Sequence, residues 1–148
     1  MAYGIASWGK ALTDVWGEVS VENKRVLSYT FDRVPESVSV FPSAISFVMD
    51  VNHSYSLGGV CFAVFHGRTH FHITSGLVRS QMGFVMKFIN EIVKAAAGHL
   101  TLGGLVTDFR ITSMQMGMDK WGNEDEHFVI EVDWTVEESQ SGKYTVSA

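Results

Sequence analysis

Ile5, Trp8, Leu12, Val15, Trp16 and Val19 recur at spacings of three and four, which predicts an amphipathic helix of about four turns at the start of the chain. Two tryptophans on that stripe need a covering surface, either the protein's own sheet or a neighbouring subunit. From Arg25 to Pro42 the run RVLSYTFDRVPESVSVFP has no clean period, and Pro35 and Pro42 hold their predecessors extended. That run is expected to be a connector with room for one short strand. SAISFVMDV then sets Ile45, Phe47, Met49 and Val51 on one face and Ser46, Val48 and Asp50 on the other, the mark of a half-buried strand. NHSYSLGG, closed by Gly58 and Gly59, is expected to be a loop longer than a tight turn, and VCFAVFHGRTHFHI a second strand.

Between Val78 and Leu100, the residues Met82, Val85, Met86, Ile89, Val93, Ala96 and Leu100 form one apolar stripe at helical spacing, with Lys87, Asn90, Glu91 and Lys94 on the wet side. Methionines beside aliphatics fill cores, and Gly98, Gly103 and Gly104 give the stop signals. Downstream, Leu105, Thr107, Phe109 and Ile111 alternate with Val106, Asp108 and Arg110. After the polar DKWGNEDE, a second alternation sets Phe128, Ile130, Val132, Trp134 and Val136 against Val129, Glu131, Asp133, Thr135 and Glu137. Two such runs predict an antiparallel hairpin with a polar tip.

The element order defines an α+β fold: a mainly antiparallel sheet of two hairpins packed against one long helix, with an additional N-terminal amphipathic helix. With no repeat or linker, residues 1–148 read as a single domain, and 138–148 (ESQSGKYTVSA) as an extended or mobile tail. At this length folding buries roughly two-thirds of the unfolded chain's surface, so a core needs no staples. A single cysteine, Cys61, excludes an internal disulfide and a Cys-rich zinc framework; in VCFAVF it reads as a small buried hydrophobe. Eleven Lys and Arg against sixteen Asp and Glu give a net charge of −5, which argues against a basic nucleic-acid surface. The first residues lack the basic and apolar regions of a leader, and no window approaches eighteen apolar residues, so the protein is expected to be intracellular when made, neither secreted nor membrane-spanning.

VFHGRTHFHI places His66, His70 and His72 within seven positions. A metal site needs three or four converging ligands held by further partners. On a straight strand the three rings share one face with the cation of Arg68, and a turn at Gly67 and Arg68 would make them diverge. The stretch has no acid or cysteine to complete a set, so no metal is expected. The histidines read instead as residues of a solvated strand face whose contacts weaken below about pH 6.5. Gly58 and Gly103 are turn glycines without a phosphate-loop setting, and no nucleophile or metalloprotease motif is present. Glu124, Asp125 and Glu126 lack the spacing of a calcium loop and suit a solvated tip or an electronegative interface. Val48, Val129 and the two helix tryptophans exceed what one small two-layer domain easily covers, which makes self-assembly the residue-level expectation.

PESVSVFPSAISFVMDV, the loop with Gly58 and Gly59, the long helix ending in HLTLGG, and the closing LVTDFRITSMQMGMDKWGNEDEHFVIEVDWTVEE resemble tail-terminator (tail-completion) proteins of long-tailed bacteriophages, over roughly residues 30 to 137. The resemblance implies a virion protein, assembled in the host cytoplasm. It would form a ring, typically a hexamer, on the tail-tube end, stopping polymerisation and meeting the head-tail connector while DNA passes through the lumen without specific binding. It implies no enzyme chemistry, cofactor or membrane. Under it, Trp8, Trp16 and the tail after Glu138, with Tyr144, are candidates for intersubunit or neck contacts, and Glu124, Asp125 and Glu126 for a lumen- or tube-facing loop. A neck or stopper protein of the same virion is the nearest alternative. A small hot-dog-like enzyme is the second, although Ser80 and Gln81 are all the start of the long helix offers it.

Overall fold

Helix α1 (Ile5–Trp16) forms on the predicted stripe but stops a turn early: the Gly17 N–H is held by the Thr13 carbonyl at 3.0 Å, and Val19, past the end, is still buried. The computed structural model describes residues 5–55, 61–74 and 78–139, and for 5–7, 55, 61 and 78–81 the backbone alone. A two-residue turn follows, with Glu22 and Asn23 at φ of 52° and 65°, joining β1 (Ser20–Val21) to β2 (Lys24–Arg25). Positive φ at both central residues matches the right-handed twist of the flanking strands. Strand β3 (Leu27–Ser28) then runs parallel to the start of β4, the one short strand for which the connector has room, while β1 and the start of β2 precede it.

Four long strands carry the domain: β4 (Ser43–Tyr55), β5 (Cys61–Thr74), β6 (Asp108–Asp119) and β7 (His127–Ser139), in sheet order β3-β4-β5-β7-β6. All long neighbours are antiparallel. The ladder corrects two expectations and decides an alternative that the sequence left open. β4 continues through Asn52 to Tyr55, paired with Val64 to Cys61, where a loop was expected. β5 runs without a turn through Gly67 and Arg68, which pair with β4 on one side and with Trp134 and Asp133 on the other. β7 includes Glu138 and Ser139, and Glu138 is fully buried opposite Ala63, so the strand extends into the expected tail; residues 140–148, with Tyr144, lie outside the described residues. In each case a neighbouring strand supplies the hydrogen bonds, and that pairing outweighs local polarity.

Helix α2 (Val78–Ala97) lies with α1 on one face of the sheet. Its buried stripe is Val85, Phe88, Ile92 and Ala96, whereas Met82, Met86, Val93 and Leu100, expected in the core, are 42%, 49%, 48% and 53% exposed. The helix carries two adjacent apolar stripes, and Phe84 and Phe88, edge to face at 4.9 Å, turn the bulkier one inward. Trp8 and Trp16 are both fully buried in the protein's own core, which corrects the intersubunit assignment for them. Trp8 stacks edge-on with Phe65 at 5.1 Å and Trp134 at 5.9 Å, and Trp16 with Phe71 at 5.2 Å and Phe109 at 5.8 Å. Opposite these large rings β4 offers small side chains, Ala44 and Ser46, with Val48 at the margin. Ile45 and Phe47 point to the other face. Val129 is also buried, so the surplus apolar surface expected of Val48, Val129 and the tryptophans is absorbed by the fold. Among the described residues no helix is long and apolar enough to cross a membrane.

Candidate functional site

The odd residues of β5 pack under the helices, so its even residues, His66, Arg68, His70 and His72, share the opposite face, as strand alternation requires. Neighbouring strands bring that face the acids its own stretch lacks. Asp50 of β4 pairs with His66. The Arg68 guanidinium donates to Asp133 at 2.7 and 3.3 Å and lies 3.0 Å from Glu131, while Ser113 donates to Asp133 at 3.2 Å. The Arg68 hydrogen bond holds the Asp133 carboxyl below the usual carboxylate range. This arrangement balances charge: one guanidinium spans two carboxylates.

Towards the other end the face is dry, which corrects the expectation of solvated histidines. His72 and His127 are almost fully buried, with His72 Nδ1 and His127 Nε2 2.5 Å apart, so one ring donates and the other accepts. Burial, then the neighbouring rings of His127 and His70, pushes His72 down to about 3; burial lowers His70 and His127 as well. All three are therefore neutral at pH 7. Trp121 covers them, with ring centroids 5.3 Å from His70, 5.4 Å from His72 and 6.5 Å from Phe47, and Phe41 stands 5.2 Å from His127. A second small core therefore sits beneath the β6–β7 loop. Among the described residues no three His, Cys, Asp or Glu side chains are grouped to hold a metal ion. The side chain of Cys61 is not among those described.

The β6–β7 loop and the connector are locked together. Asn123 accepts from the Val38 N–H and donates to its carbonyl, both at 2.8 Å, and the Trp121 indole N–H donates to the Pro35 carbonyl at 3.1 Å. Gly122, at φ 76°, passes so close to the Glu36 carbonyl that a Cβ would collide with it. Between the loops lies a cleft of about 540 Å³ bordered by Glu124, Asp125 and Glu126, all exposed. The three candidate acids thus stand together on a fixed rim. Sequence reading missed Trp121 as the organiser of this region; its one signal was a large aromatic residue inside an otherwise polar tip.

The remaining feature is apolar and exposed. Met82, Met86 and Val93 run along α2, and Met116 and Met118, 51% and 45% exposed, lie on β6 at the edge of the sheet. Met114, Met116 and Met118 pair with the core residues Val132, Ile130 and Phe128, so all three stand on the helix side of the sheet. No family model matches the chain, and comparison with curated proteins finds no match either.

Proposed function

We propose that this protein is a structural virion protein of the tail-terminator kind, forming a ring that caps the phage tail tube, ends its polymerisation and joins the tail to the head-tail connector. The observation that carries the reading is exposed apolar side chains in two places: Met82, Met86 and Val93 along α2, and Met116 and Met118 on the edge strand β6. Five large apolar side chains, each left about half exposed, are surface that a partner would cover. Unbranched, polarizable methionine suits a surface that packs against a neighbour. The net charge of −5 and the fixed acidic rim at Glu124 to Glu126 fit a lumen through which DNA slides without being held. On this reading the partners are copies of the chain in a closed ring, hexameric by the resemblance, with the tail-tube protein on one side and the connector on the other. The protein works in the virion after assembly in the host cytoplasm, and without catalysis.

The test combines light scattering with electron microscopy of purified tail tubes. The expected result is a ring of several copies at tube ends and arrest of tube growth when the protein is added. A 16 kDa species at all concentrations, with tubes growing unchecked in its presence, would falsify the reading.

A further inference from the structure

The long strands alternate in direction, β4 up, β5 down, β7 up and β6 down, so the two outer ones run opposite ways. Among the described residues, each outer strand has a side open to a further strand along most of its length. Among the described residues β6 has β7 as its one strand neighbour, and the outer side of β4 is met by β3 at Ser43 and Ala44, leaving residues 45–55 uncovered by a strand. Neither strand contains a lysine or proline, the residues that usually blunt a free edge. The Phe109 N–H is taken by the Leu100 carbonyl at 2.7 Å, and beyond it the β6 edge, like that of β4 after Ala44, presents backbone N–H and C=O groups that suit another strand.

We infer that copies of this chain join head to tail, the open edge of β6 in one copy pairing with the open edge of β4 in the next. The interface rests on the ring reading above and specifies it. A second copy set beside the first in the same orientation brings its β4 antiparallel to β6, so the alternation continues unbroken from copy to copy and the helices stay on one side. An arrangement that repeats by rotation alone is heterologous and closes into a ring, whereas pairing β6 with β6 would stop at two copies with both β4 edges still open.

The register gives the contact its chemistry. Following partners across the sheet, Ile45 lies level with Gln115 through His70 and Glu131, and Asn52 lies level with Asp108 through Val64 and Glu137. Copies side by side without stagger therefore overlap along β4 from 45 to 52 and β6 from 108 to 115. Within that overlap Asp50 is level with Arg110, through His66 and Thr135, and both belong to the histidine-bearing face. Their side chains are 58% and 67% exposed, Asp50 beside His66 and Arg110 beside Asp108 of its own copy, so a neighbour's charge can still approach each of them. The edge of one copy thus carries an anion where the edge of the next carries a cation.

The test is a charge exchange in the full chain, read by sedimentation and light scattering. Asp50→Arg and Arg110→Asp should each weaken self-association by about tenfold or more, because like charges then face one another. The double variant, or an equal mixture of the two single variants, should restore it. Both sites are on the surface, so each variant's unfolding midpoint should stay near the parent's, which separates lost assembly from lost folding. Single variants that associate like the parent, or a double variant that stays dissociated, would overturn the β4–β6 interface while the ring reading stands. A parent chain that stays monomeric with and without tail tubes would overturn both.

Discussion

The indole of Trp134 occupies the space where Gly67, its partner on β5, would carry a side chain: a Cβ at Gly67 would come within 2.7 Å of three atoms of the ring. The same indole N–H donates to Thr69 at 2.9 Å, and Thr69 is hydrogen-bonded to Ser46 at 2.7 Å, so three strands are tied through one ring. Gly67→Ala should therefore cost about 3 kcal/mol in urea unfolding, at the upper end for overpacking, because the obstructing group is rigid and buried. Adding Trp134→Phe should recover part of the loss by vacating the site. A Gly67→Ala variant as stable as the parent would show that the ring moves freely.

Trp16→Ala should lower stability by about 3 to 5 kcal/mol, the usual cost of removing a large buried aromatic, and Trp8→Ala should do likewise. Thermal unfolding at low protein concentration measures this without any partner. If either tryptophan served mainly to contact a neighbour, the isolated chain would keep its melting temperature and lose association alone.

The histidine pair makes stability depend on pH. In the unfolded chain the imidazoles take up protons near pH 6.5, while in the folded chain His72 resists until about pH 3 and His70 and His127 are shifted the same way. The unfolded state thus binds more protons over that interval, so stability is full above about pH 6.5 and falls as the pH drops towards 3. Each such histidine contributes up to about 1.4 kcal/mol per pH unit. Chemical denaturation between pH 4 and 8 should show the decline, and His72→Gln should make it shallower. An unchanged slope in that variant would remove His72 as the cause.

Arg68→Gln should destabilise the fold at neutral pH by leaving Glu131 and Asp133 close together without their shared cation. Asp133 has its carboxyl held low in the folded state, so its contribution is present above about 3.8 and is lost as the pH falls below that value. In the variant the penalty should shrink on acidification, when the two carboxylates take up protons. Stability curves of parent and variant that run parallel from pH 7 to pH 3 would contradict this.

Asn123→Ala removes both hydrogen bonds to Val38, and a loss of about 1 to 3 kcal/mol is expected, concentrated at the junction of the two loops. Amide exchange at Val38 should rise well before exchange in β5 or β7. Uniform acceleration across the sheet would mean that the junction is not a separable unit.

Where periodicity was strict and one-sided, the sequence specified the element. The α1 stripe, the alternation of β7 and the order of helix, hairpin, long helix and hairpin all follow from spacing, because each buries one face and a slip would expose it. The even face of β5, with three histidines and Arg68 together, was legible for the same reason.

Tertiary structure decided what spacing leaves degenerate. Helix α2 has two apolar stripes, and the rings of Phe84 and Phe88, rather than the count of apolar residues, chose which one faces the sheet; the methionines expected in the core were thereby left outside. On β4 the larger apolar side chains turned away from the helices because Trp8 and Trp134 already fill that layer. His72 is dry because Trp121, nearly fifty residues later in the chain, folds back over it, and the acids that meet Arg68 come from another strand. Local pattern determined which faces exist; contacts between residues far apart in sequence determined which of them are covered and which remain open to a partner.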